Sequence, residues 1–194
     1  CIDKLYSPDS DRGRLGLLEM RGFEMPPHPQ MNLVQALLLR SCIAMFWDKP
    51  YTGRFIRWGS QLHDRFMLPH FVREDLISVL DDLRDGGFDL NPDWFEPFLA
   101  FRFPICGSTQ VGGVTLTLRS ALEPWPVMGE EPAGGGVSRS VDATVERVEV
   151  SVTGLTPNRH VIACNGRRVP LAPTSENGRN VAGVRFKAWA QPSS

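Results

Sequence analysis

Gly16-Leu17-Leu18-Glu19-Met20-Arg21-Gly22-Phe23-Glu24-Met25-Pro26-Pro27-His28 is the stretch from which the fold is read. Small and apolar residues flank a carboxylate and a guanidinium two positions apart, the pattern of a strand. Alternate strand residues share a face, so Glu19 and Arg21 project together, about 7 Å apart along the backbone. Leu18 and Met20 make the apolar reverse face, and Phe23 continues the Glu19 side. Pro26-Pro27 then end any ladder, because proline has no amide to donate. The following segment, Gln30 to Trp47, is nearly all apolar and is predicted to be a buried helix. An acid and a base fixed on one strand against such a helix can hold a metal ion and an anionic group side by side. A solvent-facing ion pair, worth about 0–1 kcal/mol, is the competing reading of the same two residues. The apolar flanks favour a lined cavity, in which buried charges need partners.

Outward from this stretch, Ile2 to Tyr6 reads as a strand that turns at Ser7-Pro8-Asp9-Ser10 and pairs with Leu15 to Phe23. A second helix is predicted from His70 to Asp85. Its apolar positions Leu76, Val79, Leu80 and Leu83 recur at helical spacing, with Pro69 in the first turn and Gly86-Gly87 beyond the last. A short helix follows from Pro92 to Leu99, capped by Asn91. Phe101 to Phe103 and Ser108 to Arg119 read as strands, the latter folded back at Gly112-Gly113. Residues 129–140 contain Glu130-Glu131-Pro132-Ala133-Gly134-Gly135-Gly136, the composition of a flexible linker. The chain therefore divides into a mixed unit over 1–128 and a small all-β, sandwich-like unit over 141–194. In the latter, Val145, Val148, Val150 and Val152 share a strand, Asn165-Gly166 marks a hairpin, and Asn180 to Trp189 is a last strand.

Composition narrows the function classes. With 194 residues, 42% hydrophobic, 22% charged and a net charge of −1, the chain is ordinary globular protein with no bulk affinity for nucleic acid or anionic membrane. The run from Met31 to Trp47 is broken by Asn32, Gln35, Arg40 and Ser41. It is too short and too polar to span a bilayer, which takes about 20 apolar residues. Cys1, Cys42, Cys106 and Cys164 are scattered without zinc spacing, which points to a reducing cytoplasm. A start at Cys1, inside what reads as structure, leads to the expectation of a piece of a longer polypeptide.

Other residues carry weaker signals. His63 and Asp64, with His70 further on, read either as a base with its orienter, as ligands, or as structural side chains. Their separation across Pro69 fits no helix-borne ligand pair. His28 lies at the rim of the Glu19 strand and can face the same site. Arg12 and Arg14 beside Gly13 and Gly16 match neither phosphate-loop spacing. Cys106 and Cys164 lie in or beside turns, with no helix N-terminus following to activate a thiol.

Several blocks resemble a known family. They are Asp3-Lys4-Leu5-Tyr6-Ser7-Pro8-Asp9, the Gly13–His28 run, Leu62-His63-Asp64-Arg65-Phe66-Met67-Leu68-Pro69-His70-Phe71, Asp93-Trp94-Phe95, Phe101-Arg102-Phe103-Pro104, Leu122-Glu123-Pro124-Trp125 and Cys164-Asn165-Gly166-Arg167-Arg168-Val169-Pro170-Leu171. Together they resemble the domain of unknown function, assigned as an amidoligase, of large bacterial transglutaminase-like proteins. More distantly, Glu19-x-Arg21 followed by prolines, an asparagine and an apolar helix is similar to a late strand of glutamine synthetases. The Asn-Pro-Tyr expected there is Asn32-Leu33-Val34 in this chain.

The resemblance implies an α+β fold: the C-terminal part of a glutamine-synthetase-like antiparallel sheet with packed helices, then the all-β module. It also implies ATP-dependent joining of a carboxylate to an amine through an acyl phosphate. Glu19 would then be a ligand of Mg2+ or Mn2+ and Arg21 the catalytic cation at the phosphoryl group. Asn32, His28, His63 and Asp64 would contact substrate. A transglutaminase-like domain would precede the segment in the same polypeptide. The alternative is a non-catalytic module that presents substrate to that domain; a ligase site that has kept only binding is a third reading.

Overall fold

His28 and Pro29 start the first helix. The His28 Nδ1 accepts the backbone N–H of Gln30 at 3.2 Å, and the proline sits where its missing donor is not needed. The helix, α1, runs Pro29–Asp48 in the computed structural model of the chain, which describes residues 19–20, 22–133, 136–156 and 159–188. A 3-10 turn (Gly59–Gln61) leads into α2 (Leu62–Met67). After the extended Leu68, Pro69 opens α3 (Pro69–Asp85), which ends at Gly86. Asn91 Oδ1 accepts the Asp93 N–H at 2.9 Å and caps a 3-10 turn (Pro92–Phe95) that continues as α4 (Glu96–Arg102).

Among the described residues nine strands follow: β1 (Ile105–Val111), β2 (Val114–Ala121), β3 (Val127–Ala133), β4 (Gly136–Val141), β5 (Val145–Thr153), β6 (Ala163–Cys164), β7 (Arg167–Arg168), β8 (Ala172–Pro173) and β9 (Arg179–Lys187). Gly112 and Gly113, with φ of 56° and 82°, make the two-residue turn between β1 and β2 in a backbone conformation that a Cβ would disfavour. The main sheet is antiparallel with order β1-β2-β5-β9-β8, while β3-β4 and β6-β7 are separate hairpins. The architecture is α+β.

Two cores lie apart. Leu80, Leu83, Leu90 and Phe95 fill the helical one, and Val34, Leu38, Cys42 and Met45 of α1 pack onto it. Val114, Val150 and Val152 fill the other, with Leu116, Leu118, Val184, Ile162 and Leu171 around them. Strand pairing sorts the sheet's faces. Leu116, Leu118, Val148, Val150, Val152 and Val184 share one, whereas Thr117, Arg119, Arg147, Glu149, Ser151 and Arg185 share the other. The second face is polar yet covered: Arg147, Glu149 and Ser151 are all buried, and the chain around α2 and the head of α3 lies over them.

Three expectations change, and a fourth lies mostly outside the described residues. The strand expected over Leu15 to Phe23, with its partner over Ile2 to Tyr6, lies mostly outside the described residues; Glu19, Met20 and residues 22–28 form no strand. The first helix is not buried. Only Met31 and Ser41 are buried along it, and Leu33, Leu37, Phe46 and Trp47 are exposed, because its apolar residues run round the helix and the core takes only one stripe. Phe101 and Arg102 complete α4 rather than begin a strand; the helix begun at Glu96-Pro97 runs until Phe103 turns inward at 3% exposure. Most of residues 129–140, expected as a linker, are paired in the β3-β4 hairpin, where Glu130 stands opposite Arg139 and accepts its Nε at 2.7 Å. β2 and β5, from the two sides of that segment, are neighbours in one sheet.

Candidate functional site

The residues singled out in the sequence lie in separate places. Glu19 is half-buried, and Arg21 lies outside the described residues. His28 caps α1 and lines an apolar groove of about 700 Å³ with Met31, Leu33, Asp93 and Trp94. Asn32 is exposed one residue past Met31. His63 is exposed on α2, and the neighbouring Asp64 accepts a hydrogen bond from Arg147 Nη1 at 3.3 Å. His28 and Asn32 thus belong to the head of α1, and His63 and Asp64 to the α2 side of the sheet.

Arg147 has a second partner. Its Nε donates to Glu123 Oε2 at 2.9 Å, and Arg185 Nη2 reaches the other oxygen at 2.8 Å. Glu123 and Arg147 are 2% and 7% exposed at the side chain, so each neutralises a charge that burial would otherwise make costly. Gly183, opposite Glu149 on β9, makes room for them: a Cβ there would stand 3.0 Å from Arg147 Nη1 and 3.1 Å from Leu68 Cδ2. This network holds α2 to the sheet.

One register step along, β5 grips α3. Glu149 Oε2 accepts the backbone N–H of His70 at 2.8 Å, at the helix start where amides lack partners. Desolvation raises the Glu149 carboxyl above its ordinary value, outweighing that hydrogen bond and the charges of Arg179, His70 and Arg119. On α3 the His70 Nε2 lies 3.3 Å from Glu74 Oε1, but is buried and makes no hydrogen bond. Ser175 donates its hydroxyl to the same Glu74 oxygen. Desolvation is the largest single influence on Glu74 and acts upward; the hydrogen bonds from Ser175, with the His70 and Arg65 charges, outweigh it and hold the carboxyl below its usual range.

These groups border a cavity of about 500 Å³ whose walls are α2, α3 and the β8–β9 turn. Arg65 projects at its edge between two rings, 5.3 Å from the centroid of Trp58 and 5.1 Å from that of Phe71. On the far wall Arg73 is taken up by Glu96 at 2.8 Å, and Glu176 by Arg179 at 3.0 Å. The arrangement is a mixed polar and aromatic cleft. Sequence reading reached His70 but missed Arg65, Glu74, Ser175 and Glu149. For Glu149 the sequence signal is the alternation Arg147, Glu149, Ser151 in a strand too apolar on its other side to be an edge; Arg65, Glu74 and Ser175 carry none.

Metal binding is tested by the donor set. Among the described residues, no three His, Cys, Asp or Glu side chains are grouped to hold an ion.

A family model described as "Putative amidoligase enzyme (DUF2126)" matches residues 1–194. The chain belongs to that family. Membership in this amidoligase family supports a ligase-type activity. No curated protein and no solved structure matches the chain. No helix among the described residues is long and apolar enough to cross a membrane.

Proposed function

We propose that the chain is part of a carboxylate–amine ligase. In the reaction envisaged, a carboxylate attacks the terminal phosphorus of ATP to give an acyl phosphate and ADP. An amine then displaces phosphate from the acyl carbon, leaving an amide and a proton. The family match across residues 1–194 is the observation that carries this reading. ATP, and Mg2+ or Mn2+ held in part by Glu19, belong to the same proposal. So do Arg21 as the cation facing the transferred group, and a cytoplasmic setting in which nucleotide is available. No step is assigned to the metal, because the described residues do not complete a ligand set.

A nucleotide and manganese titration of the full-length protein, followed by thermal unfolding, tests the reading. A working site stabilises the fold by RT ln(1 + [L]/Kd), which is about 2.7 kcal/mol at a hundredfold excess over Kd. The wild type is expected to show that stabilisation and Glu19→Gln to lose most of it. An equal response in both, or none in either, contradicts the proposal.

The outer side of α1 favours a second reading, that of a module packing on another domain, such as the transglutaminase-like one. Leu33 is 71% exposed and Trp47 88% exposed, three and a half to four turns of one helix apart. Catalytic turnover that survives Glu19→Gln, with nucleotide response unchanged, would favour this reading instead.

A further inference from the structure

We propose that β1 is a self-recognition edge: a second copy of this chain adds its own β1 antiparallel to it, making one continuous sheet. β1 is the outer strand of the main sheet, paired with β2 alone, and all seven of its residues are exposed. None of them belongs to either core. Such a strand offers its outward N–H and C=O groups to another chain, and proteins normally blunt it with charge, proline, shortness or a cover. Ile105-Cys106-Gly107-Ser108-Thr109-Gln110-Val111 has neither a charged residue nor a proline. By contrast, β2, β3, β4, β5 and β9 each carry charge. The bulge between Ile105 and Gly107 is confined to the start, and Gly107 to Val111 run in unbroken register against Leu118 to Val114.

The hairpin fixes which main-chain groups are on offer. Residues flanking a two-residue turn exchange both hydrogen bonds, and so does every second pair behind them. Val111, Thr109 and Gly107 therefore turn their amides and carbonyls toward β2, while Ser108 and Gln110 turn theirs away from it. The Ser108 hydroxyl donates to the Leu116 carbonyl at 3.3 Å, which agrees with that carbonyl facing β1. Among the described residues nothing bonds to the outward side of Ser108 or Gln110.

A copy related by a two-fold axis through Thr109 satisfies these groups with the regular segment alone. Ser108 then exchanges main-chain bonds with the partner's Gln110, and Gln110 with the partner's Ser108. The side chains fit that register. Val111, 72% exposed, comes to lie over the partner's Gly107, where a Cβ would meet nothing within 4 Å. Thr109 meets the partner's Thr109, a favourable cross-strand pair. Self-pairing about an axis brings any charge near its centre against its like, and β1 is the long strand that has none to oppose. A second copy is thus the occupant this edge suits. The contact is small, below about 1,200 Å² in total, so the pair is a reversible one. It uses no residue assigned to the ligase reaction, and either reading can fail alone.

Sedimentation velocity of the full chain, from about 10 µM to about 1 mM, tests the proposal. The mass is expected to rise with concentration from one chain toward two. Thr109→Lys sets two ammonium groups face to face at the axis and should raise the dimer dissociation constant about tenfold or more. Gln110→Pro removes an outward N–H that the β1–β2 ladder does not use, and should act in the same direction. Both variants should keep the wild-type melting curve at low concentration. In Thr109→Cys, the Cα atoms facing each other across the axis would be about 4.5 Å apart, within reach of a disulfide. Mild oxidation should then join the two introduced thiols, as read by peptide mass spectrometry. A monomer at every concentration overturns the proposal, and so does a dimer that Thr109→Lys leaves as tight as before.

Discussion

The backbone N–H of His70 donates to Glu149 Oε2 at 2.8 Å, so the first turn of α3 is fastened to the middle of β5 by a carboxylate that is 1% exposed. Burial raises that carboxyl, which fixes the sign of its effect on folding. The folded state favours the protonated form. Glu149 therefore contributes most stability below the ordinary carboxylate value, and that contribution is lost as pH rises through its raised folded value. Urea unfolding at a series of pH values should show this downward slope in the wild type. Glu149→Gln keeps an acceptor for His70 and should flatten it; an identical slope in the variant would show that Glu149 is not its source.

A neighbouring pair sets a larger cost. Arg147→Met leaves Glu123 buried, with the exposed Arg185 as its remaining partner, and should destabilise the chain by about 3–5 kcal/mol. Replacing both with apolar residues, Arg147→Met with Glu123→Leu, should recover much of that loss. Equilibrium denaturation of the single and double variants checks it. Additive losses would mean that the two charges do not act as a pair.

Packing on the two sides of the helical layer gives a third contrast. Leu83, fully buried between α1 and the Leu90–Phe95 segment, should cost about 2–5 kcal/mol as Leu83→Ala. Trp47→Ala on the outer side of α1 should stay within about 0.5 kcal/mol in this chain. A large loss at Trp47 would mean that α1 is covered after all.

Local chemistry explains which elements could be read from the sequence. Pro69 and Gly86 bracket α3, Asn91 caps the next turn, and Gly112-Gly113 and Asn165-Gly166 close hairpins; each acts within a few residues. Errors arose where a partner is distant. Glu130 and Arg139 pair across a hairpin whose glycine content reads as linker. The cover over Arg147 and Glu149 comes from α2 and the head of α3, far away in sequence. Helix α1 has apolar residues on every side, so its sequence cannot say which stripe is inside. The cavity was illegible for the same reason: Glu74 and Ser175 are 101 residues apart, and no short motif joins them. The Glu19-x-Arg21 pair was the most visible signal, yet only Glu19 lies among the described residues.

Product formation tests the ligase assignment most directly. Full-length protein is incubated with ATP, Mn2+ and a pool of L-amino acids serving as both carboxylate and amine. ADP is then quantified alongside condensed products, recognised by mass as two reactants less one water. The account predicts ADP and amide in equal amounts, both abolished by Glu19→Gln. Amide formed without ADP, or ADP and amide undiminished in the variant, would contradict it.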